Sequence, residues 1–474
     1  PIVYPPKSEA QKLIKHMEYY GSKAGAYLRI YMLSRGSSKQ CIKDDSCAIL
    51  GGLSLYGSFT DNYESNNAVW AIANYDTFGL FPYSHDGADY SISGFVALLA
   101  ALESFKNINW SQADKPLRFA FFDGEEVGYL GSTRFLDEVL DFKCNSHSNN
   151  GCESPYRLDM GFESVNPEDF NTVIEIKSVA TASSLYVHTN KNGREFGKSL
   201  VQSPSSDSPL SVEMADESLP GVPPSSTNTF IKKFPTIKHA VLTGYQGKFP
   251  ENNRYGYPSE VVYDADAITK ASQTLVATLH KLCGVKEEVP KVNSTIVSEL
   301  MKGLVNAPAD SEYMASLFPN ARLPTDHVSL YTAVYRPYTL ELKQQLVIEI
   351  LKESIASNIT TIRCQQQQDC SDYGLACSKT RGVCINYTMN MHPAYSEAFE
   401  YTSDYETKIV NSSEDLPFEC EANWVSPDLQ FVTLPSLWTG RITVGIGLVL
   451  WVVLAVLLVK FWNYNVAYLH ERKE

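Results

Sequence analysis

The feature that most constrains this chain is an apolar stretch that runs directly into an acidic turn. Leu117–Phe122 is short and rich in aromatic residues, and it lies between Pro116 and the pair Asp123-Gly124. This pattern is typical of a buried strand followed by a tight turn, which here continues with Glu125 and Glu126. Ligands collect at the carboxyl ends of strands in open α/β sheets, so we predict a functional site at this turn. An ordinary solvent-exposed turn would use the same residue types.

Around this turn, apolar periodicity predicts alternating strands and helices. The predicted strands are 68–73, 117–122, 173–176, 184–187 and 240–243, and the predicted helices are 93–105, 132–142 and 264–283. The alternation favours an α/β domain with a mostly parallel sheet. We also predict a helix over residues 8–33, with surface loops over residues 51–67 and 204–226, which are rich in Gly, Ser, Asn or Pro.

A membrane span is predicted near the carboxyl end. Residues 442–459 are uncharged and apolar, and they lie between Arg441 and Lys460. The run nearly matches a hydrocarbon core of roughly 30 Å and lacks the polar stripe of a helix that contacts solvent. We therefore predict a transmembrane helix over residues 441–462 and a cytosolic tail over residues 463–474.

Cysteines and glycosylation sequons indicate the compartment. Eight of the ten cysteines are close neighbours in loops and are disulfide candidates, as expected in an oxidising compartment: Cys41, Cys47, Cys144, Cys152, Cys364, Cys370, Cys377 and Cys384. Five Asn-x-Ser/Thr sequons precede the apolar run, at Asn109, Asn293, Asn358, Asn386 and Asn411. These features predict a single-pass type I membrane glycoprotein with a lumenal or extracellular ectodomain. The net charge of −14 argues against nucleic acid as a partner.

The predicted organisation has five parts. Residues 1–67 form an amino-terminal segment of the ectodomain, which is expected to follow a removed portion because Pro1 is not preceded by a signal peptide. Residues 68–285 form the α/β domain, and residues 286–440 form a helical, cysteine-rich membrane-proximal region. The transmembrane helix and the tail follow.

The motifs around the turn occur in a known order. Adjacent glutamates at the end of a buried strand suit a zinc peptidase, in which one carboxylate takes a proton from water and its neighbour binds metal. Asp76, Gly87-Ala88-Asp89 with Ser93-Gly94, and Gly124-Glu125-Glu126 with Gly131-Ser132 follow the order and approximate spacing of the aminopeptidase family that includes glutamate carboxypeptidase and the transferrin receptor. The chain resembles that family, which implies an aminopeptidase-like fold.

The metal ligands of that family are incomplete in this chain. Asn74 stands where the first histidine ligand is expected, the register of the bridging aspartate falls on Tyr90 with Asp89 one residue away, and residues 255–258 contain no histidine. Zinc prefers nitrogen and sulfur ligands, so we expect the zinc-peptidase fold without metal and no cofactor. His85 and His239 are the alternative sources of a histidine ligand.

A closer resemblance covers most of the chain. Residues 123–132, residues 219–226, the tract from His239 to Phe249 and the single carboxyl-terminal span together resemble the nicastrin family, the glycoprotein subunits of γ-secretase complexes. Nicastrins carry Asp-Tyr-Ile-Gly-Ser where this sequence has Gly128-Tyr129-Leu130-Gly131-Ser132. The resemblance implies a non-catalytic subunit associated with presenilin, APH-1 and PEN-2 in the membranes of the endoplasmic reticulum, Golgi, endosome and cell surface. It also implies a role in stabilising the complex and in admitting type I membrane proteins with short ectodomains.

The resemblance also implies a substrate-binding set of Glu125, Glu126 and Tyr129, because the family glutamate proposed to meet the free amino terminus of the substrate maps to Glu125. A carboxylate pairs well with an ammonium group, and steric bulk rejects an internal chain. We expect Glu125 on the rim of the site, where its loss leaves folding nearly intact. The alternatives are a relic glutamate with no ligand, an active zinc aminopeptidase using Glu125 as base and Glu126 as ligand, and a transferrin-receptor-like binding protein.

Overall fold

In the computed structural model the chain divides into two compact units, Arg35–Ala422 and a smaller one made of Pro1–Ser34 and Asn423–Glu474. The structure describes residues 11, 15, 24–32, 37–44, 46–60, 67–77, 87–148, 151–154, 157–158, 164–216, 218, 221–250, 260–318, 322–334, 342–356, 358–365, 368–371, 373, 375–378, 382–387, 389–402, 406–410, 420–422, 424–433 and 437–471. Asn411, His85 and residues 255–258 lie outside these ranges.

A ten-stranded mixed sheet forms the centre of the larger unit. Its strands are β1 Cys47–Ser58, β2 Ala68–Asn74, β3 Leu117–Phe122, β4 Phe170–Ile176, β5 Ser184–His188, β6 Ser211–Met214, β7 Lys238–Thr243, β8 Ala333–Val334, β9 Met389–Tyr395 and β10 Cys420–Ala422. Their order is β6-β5-β7-β4-β2-β3-β1-β8, and β9 and β10 also pair with β1. The pairs β6-β5, β7-β4, β4-β2 and β2-β3 are parallel, whereas β7 is antiparallel to β5 and β1 is antiparallel to all of its described partners, including β3. The predicted α/β class with a largely parallel sheet is confirmed.

Helices cover both faces of this sheet. They are α1 Ser38–Lys43, α2 Ser93–Phe105, α3 Leu130–Asp141, α4 Arg194–Gln202, α5 Thr227–Lys233, α6 Ala265–Cys283, α7 Ser294–Val305, α8 Glu312–Leu317, α9 Leu342–Ile355 and α10 Gln368–Ser371. Single helical turns occur at Ala88–Ile92, Trp110–Gln112, Glu125–Val127, Pro167–Asp169 and Pro308–Asp310. Three small antiparallel sheets comprise Asn358–Arg363 with Val383–Asn386 and Ala376–Ser378, Phe399–Tyr401 with Thr407–Ile409, and Ser146–Ser148 with Gly151–Ser154 and Arg157–Leu158.

The two faces of the sheet bury separate cores, and β2 shows how the sequence divides between them. Val69 and Ala71 belong to the core that includes Phe95 of α2. Trp70 lies on the opposite face and packs against Phe135 of α3, with ring centroids 5.9 Å apart. Successive side chains of a strand point to opposite faces, so a strand covered on both sides is apolar throughout. This arrangement explains why the central strands were recognisable from sequence.

Three predictions outside the central strands are wrong, among them the predicted loop over residues 204–226, which contains strand β6. The predicted loop over residues 51–67 begins with eight residues of β1, where glycine allows close backbone approach rather than a turn: a Cβ on Gly52 would lie 1.7 Å from Asp123 Oδ2. The predicted helix over residues 8–33 contains the strand Ala24–Met32, which pairs antiparallel with Trp424–Thr433 in the smaller unit. Its partner is distant in sequence, so local periodicity did not reveal the pairing.

The larger unit also crosses the predicted domain boundaries. Strand β1 comes from residues 1–67, and strands β8, β9 and β10 come from residues 286–440. All four pair within the main sheet, so residues 68 and 285 fall inside one compact unit.

The eight candidate cysteines form four disulfides. Cys41 pairs with Cys47, Cys144 with Cys152, Cys364 with Cys377 and Cys370 with Cys384. The last two cross-links overlap in sequence and fasten the small sheet at residues 358–386.

The smaller unit ends in a continuous helix, Leu437–Glu471. Within it Gly440–Trp462 has a mean hydropathy of 2.9 and no buried share, which makes it a candidate membrane span. The segment Ala88–Phe105 is also apolar enough to span, but 89% of it is buried within the larger unit. The predicted cytosolic position of residues 463–474 stays a prediction.

We predict that Gly131→Ala destabilises the chain, although alanine normally favours a helix by about 1 kcal/mol over glycine. A Cβ at Gly131 of α3 would lie 2.2 Å from the carbonyl oxygen of Asp123, so α3 must shift at an expected loss of about 1–3 kcal/mol. Denaturant unfolding of the full chain in mild detergent measures the loss. Gly445→Ala is the control, because its added Cβ meets no described atom within 4 Å outside the neighbouring backbone of its own helix. Equal stability of G131A and the unsubstituted chain would contradict this packing.

Candidate functional site

Three neighbouring parallel strands bring five acidic residues to one edge of the sheet. Asp76 follows β2, Asp123 follows β3, and Glu175 lies near the end of β4. Glu125 and Glu126 lie on the turn after β3. We call these five residues the acidic corner. Asp76, Asp123 and Glu175 are fully buried, Glu125 is 5% exposed, and the Glu126 side chain is 4% exposed.

The turn that carries the two glutamates has an unusual backbone. Gly124 and Gly128 adopt left-handed conformations, with φ of 71° and 87°, on either side of the 3-10 turn Glu125–Val127. Tyr129 follows with φ of 58°, a conformation that ordinarily costs a residue with a side chain about 1–2 kcal/mol. Its backbone N–H donates to the Glu125 carbonyl at 3.1 Å. Such strained positions cluster at functional sites.

Glu125 is buried and caps helix α3, which corrects the prediction that it lies on a rim. Its Oε1 accepts a hydrogen bond from the backbone N–H of Ser132 at 2.8 Å, and its Oε2 accepts one from the Ser132 hydroxyl at 2.7 Å. Ser132 is the third residue of α3 and not the first residue of the helix as predicted. The backbone N–H at this position has no partner within the helix, and Glu125 supplies its acceptor. Burial raises the pKa of Glu125 to about 8.

Asn74 links the other carboxylates through its side-chain amide. Its Nδ2 lies 3.2 Å from Asp76 Oδ1 and 3.4 Å from Glu126 Oε1, and it donates to both. Asp76 Oδ2 accepts further hydrogen bonds from the Glu126 backbone N–H at 3.0 Å and from the Thr332 hydroxyl at 2.8 Å. Burial, followed by the charge of Glu126, raises the pKa of Asp76 to about 7.

Two buried lysines pair with the corner. Lys343 of α9 donates to Asp123 Oδ1 at 3.1 Å. The Lys177 Nζ lies 3.7 Å from Glu126 Oε1 and 4.0 Å from the centre of the Tyr90 ring. A buried ion pair with few further donors repays little of its desolvation, so each lysine is expected to hold its carboxylate in place rather than add much stability.

Five carboxyl groups thus face two paired lysines in the described part of the corner. Burial raises the pKa of Glu175 as well as those of Asp76 and Glu125, because ionising all of them in a dry site is unfavourable. Part of the corner is therefore protonated near neutral pH. A cation that entered the corner would displace those protons and stabilise the carboxylates.

A short segment covers the corner. The Pro224 carbonyl accepts a hydrogen bond from Lys177 Nζ at 3.2 Å. The backbone N–H groups of Ser226 and Thr227 donate to the Glu175 carboxylate at 3.2 and 2.8 Å. We call residues 224–227 the cover. These hydrogen bonds attach the cover to β4 and to Lys177, which follows it. The prediction of a surface loop over residues 204–226 does not describe this attached segment.

The residues present do not fit the zinc that active members of the aminopeptidase family hold. At the first ligand position the Asn74 amide N–H donates to Asp76 and Glu126, and an N–H donor is not a metal ligand. Asp89 Oδ1 already accepts a hydrogen bond from the Ala180 backbone N–H at 2.9 Å. His239 lies buried beside the Ile237 carbonyl and does not supply a replacement ligand.

The remaining predicted residues are placed as follows. Tyr129 is half-buried at the edge of the corner, and burial followed by the charge of Glu125 raises its pKa. Asn109, Asn293 and Asn386 are exposed, and Asn358 begins a strand. Substrate binding by Glu125, Glu126 and Tyr129 stays a prediction, as does glycosylation.

Sequence reasoning missed the lysines and the cover. Lys177 could have been predicted from sequence, because it comes directly after a predicted strand at the same edge of the sheet as Asp76. Lys343 and Thr332 could not, since they reach the corner from segments more than two hundred residues away.

Comparisons with known proteins point to one family. The protein-family model described as "Nicastrin large lobe" matches residues 67–282. The chain is 25% identical to nicastrin from Dictyostelium purpureum over 90% of this chain and 69% of that protein. It is 25% identical to nicastrin from Arabidopsis thaliana, over 88% and 65%, and 22% identical to nicastrin from Homo sapiens, over 81% and 58%. The chain thus spans about three-fifths to two-thirds of the length of these relatives.

A solved structure shares the fold. The crystal structure of the γ-secretase component nicastrin superposes with a TM-score of 0.75 at 23% identity, over 90% of this chain and 76% of that one.

We predict opposite effects for two substitutions of Glu125. Glu125→Ala leaves the N–H and hydroxyl of Ser132 without an acceptor in a buried place, at an expected loss of about 1–3 kcal/mol. Glu125→Gln keeps an acceptor and a donor but cannot ionise. The raised folded-state pKa means that the native carboxyl holds its proton where the unfolded one has lost it, so stability falls as pH rises from about 4.5 to about 8.

Unfolding of both variants at pH 5 and pH 8 provides the measurement. E125Q should match the unsubstituted chain at pH 5 and exceed it at pH 8 by on the order of 2 kcal/mol. An E125A variant as stable as the unsubstituted chain at pH 5, or an E125Q variant with an unchanged pH profile, would contradict the buried position.

Proposed function

Because the chain belongs to the nicastrin family, we propose that it is a non-catalytic subunit of a γ-secretase complex whose acidic corner recognises the free amino terminus of substrates. The proposal rests above all on one observation: a buried corner holds more carboxyl groups than paired cations, and an amide stands where a metal ligand is required. Such a site attracts an ammonium group but lacks the means to activate water.

The proposed lack of catalysis rests on the hydrogen-bond donors in the corner. A general base must be deprotonated and within reach of a water held by a metal ion or another electrophile. Burial keeps Glu125 protonated up to about pH 8, and Ser132 occupies both of its oxygens. The Asn74 amide donates hydrogen bonds to both Asp76 and Glu126. The residues of the former pocket therefore satisfy one another.

Recognition of an amino terminus follows from charge and depth. An α-ammonium group carries three donors and one positive charge, which suits Glu125 or Glu126. Both carboxylates are buried, so a ligand would reach them when the cover opens, and a chain end would enter with less steric conflict than an internal segment. Tyr129, half-buried at the edge, would contact the first residues of such a chain. Substrates with short ectodomains present their amino termini close to the membrane, where this subunit would meet them.

The proposed setting is a membrane complex. The candidate span Gly440–Trp462 anchors the chain in the lipid bilayer, and its exposed apolar surface is free to meet other helices. Presenilin, APH-1 and PEN-2 are the proposed partners. The acidic corner would bind type I membrane proteins, which the presenilin subunit would then cleave.

We predict that gentle solubilisation of the full chain from its source membranes retains presenilin, APH-1 and PEN-2 in defined ratio, as quantitative mass spectrometry of the purified material would show. Recovery of a lone chain or a homodimer would favour the transferrin-receptor-like alternative and contradict the proposal.

We predict a pH dependence of substrate affinity that requires a free amino terminus. The free Glu125 has a pKa of about 8, and a bound ammonium favours its carboxylate, so binding releases a proton below that pH. Affinity should rise by up to about tenfold per pH unit from pH 6 towards 8, then fall as the α-amino group, with a pKa of about 7.7–8.0, loses its own proton.

Titration of the purified complex with one short type I substrate, free or acetylated at its amino terminus, measures this effect. The acetylated form should bind weakly with a flat profile, and Glu125→Gln should flatten the profile of the free form. Identical profiles for the two forms of substrate would contradict recognition of the amine.

A further inference from the structure

A cavity is lined by residues that take no part in the acidic corner. It encloses about 410 Å³ between the end of β1, the turn after α2 and the chain that follows Val383–Asn386. Its lining includes Phe59, Lys106, Asn109, Trp110, Asn386 and Tyr387. This volume lies within the range of roughly 300–1,000 Å³ that small-ligand sites occupy.

Two glycosylation sequons open onto this one cavity. All three residues of Asn109-Trp110-Ser111 line it, and so does Asn386 of a second sequon. Asn109 is exposed, and its Oδ1 accepts hydrogen bonds from the N–H and hydroxyl of Ser111 at 3.3 and 2.7 Å. These bonds occupy Oδ1 and fix the side chain without using Nδ2, the atom that carries an N-linked glycan.

The walls combine aromatic faces with polar groups. Phe59 and Trp110 stack with centroids 5.3 Å apart and planes 9° from parallel, and Tyr387 lines the cavity beside them. The C–H faces of pyranose rings pack on aromatic rings, and Lys106 supplies a donor for hydroxyl groups. Trp110 is 6% exposed, and its indole N–H has no acceptor among the described residues. A buried donor without an acceptor is unfavourable by about 1–3 kcal/mol.

We propose that this cavity is a saccharide site filled by the first sugar residues of the N-linked glycan on Asn109. We choose Asn109 because Asn109, Trp110 and Ser111 all line the cavity and Ser111 fixes the Asn109 side chain by two hydrogen bonds. Covalent attachment gives the glycan an effective concentration on the order of millimolar or more, so weak contacts suffice to hold it. The seated sugars would join the turn after α2 to the disulfide-linked small sheet at residues 358–386.

Native deglycosylation tests the proposal in the intact complex. The probe is a peptide N-glycosidase, applied before and after denaturation, with site-specific glycopeptide mass spectrometry as the readout. Release from Asn109 should be at least about tenfold slower than release from Asn293, which corresponds to about 1.4 kcal/mol of protection. Asn293 is exposed at the start of α7 and lines no part of the cavity. Denaturation should abolish the difference.

A pair of tyrosine variants sharpens the test. Tyr387→Ala widens the cavity and keeps the Asn386 sequon, so it should abolish the protection at Asn109 and leave release from Asn293 unchanged. Tyr373→Ala is the matched control, because Tyr373 is 61% exposed in the same region. Equal native release from Asn109 and Asn293, no glycan on Asn109, or retained protection in a folded Y387A variant would each overturn the proposal.

Discussion

The ionisation of five carboxyl groups in one dry corner is the constraint on which this site depends. Two lysines and the Asn74 amide hold the carboxylates in place, and burial raises the pKa of both Asp76 and Glu125 into the neutral range. Glu125, which could act as a general base if ionised, is thus kept protonated near neutral pH. A buried cluster with more carboxyl groups than cations suits a cationic ligand better than a hydrolytic reaction.

The same corner connects the acidic turn to the rest of the fold. Glu125 satisfies the first turn of α3, and Lys343 joins the turn to α9. The cover is held by Lys177 and Glu175 of one strand segment. Opening the cover therefore disturbs the partners of the carboxylates themselves. This coupling provides a physical route by which ligand binding and the state of the cover would depend on one another.

The sequence was sufficient for the centre of the fold and insufficient for its edges. Leu117–Phe122 and its parallel neighbours are apolar on both faces, so their periodicity and the position of the acidic turn at the sheet edge were predictable. Strand β1 was not, because Gly52 there serves a close approach to Asp123 that no local pattern reveals. The burial of Glu125 depends on Ser132 and on the packing around both, and the contact of Lys343 spans 220 residues. Long-range contacts of this kind decide whether a carboxylate lies on a rim or in a core.

The central claim is that protein donors, and not metal ions, hold the acidic corner together. Zinc titration of the purified complex, followed by exhaustive dialysis and metal analysis, tests it most directly. The account predicts no stoichiometric zinc retained at the corner and no release of amino-terminal residues from peptides when zinc is supplied. Retention of two zinc ions per chain that support such release, and that are lost on substitution of Asp76 or Glu126, would contradict it.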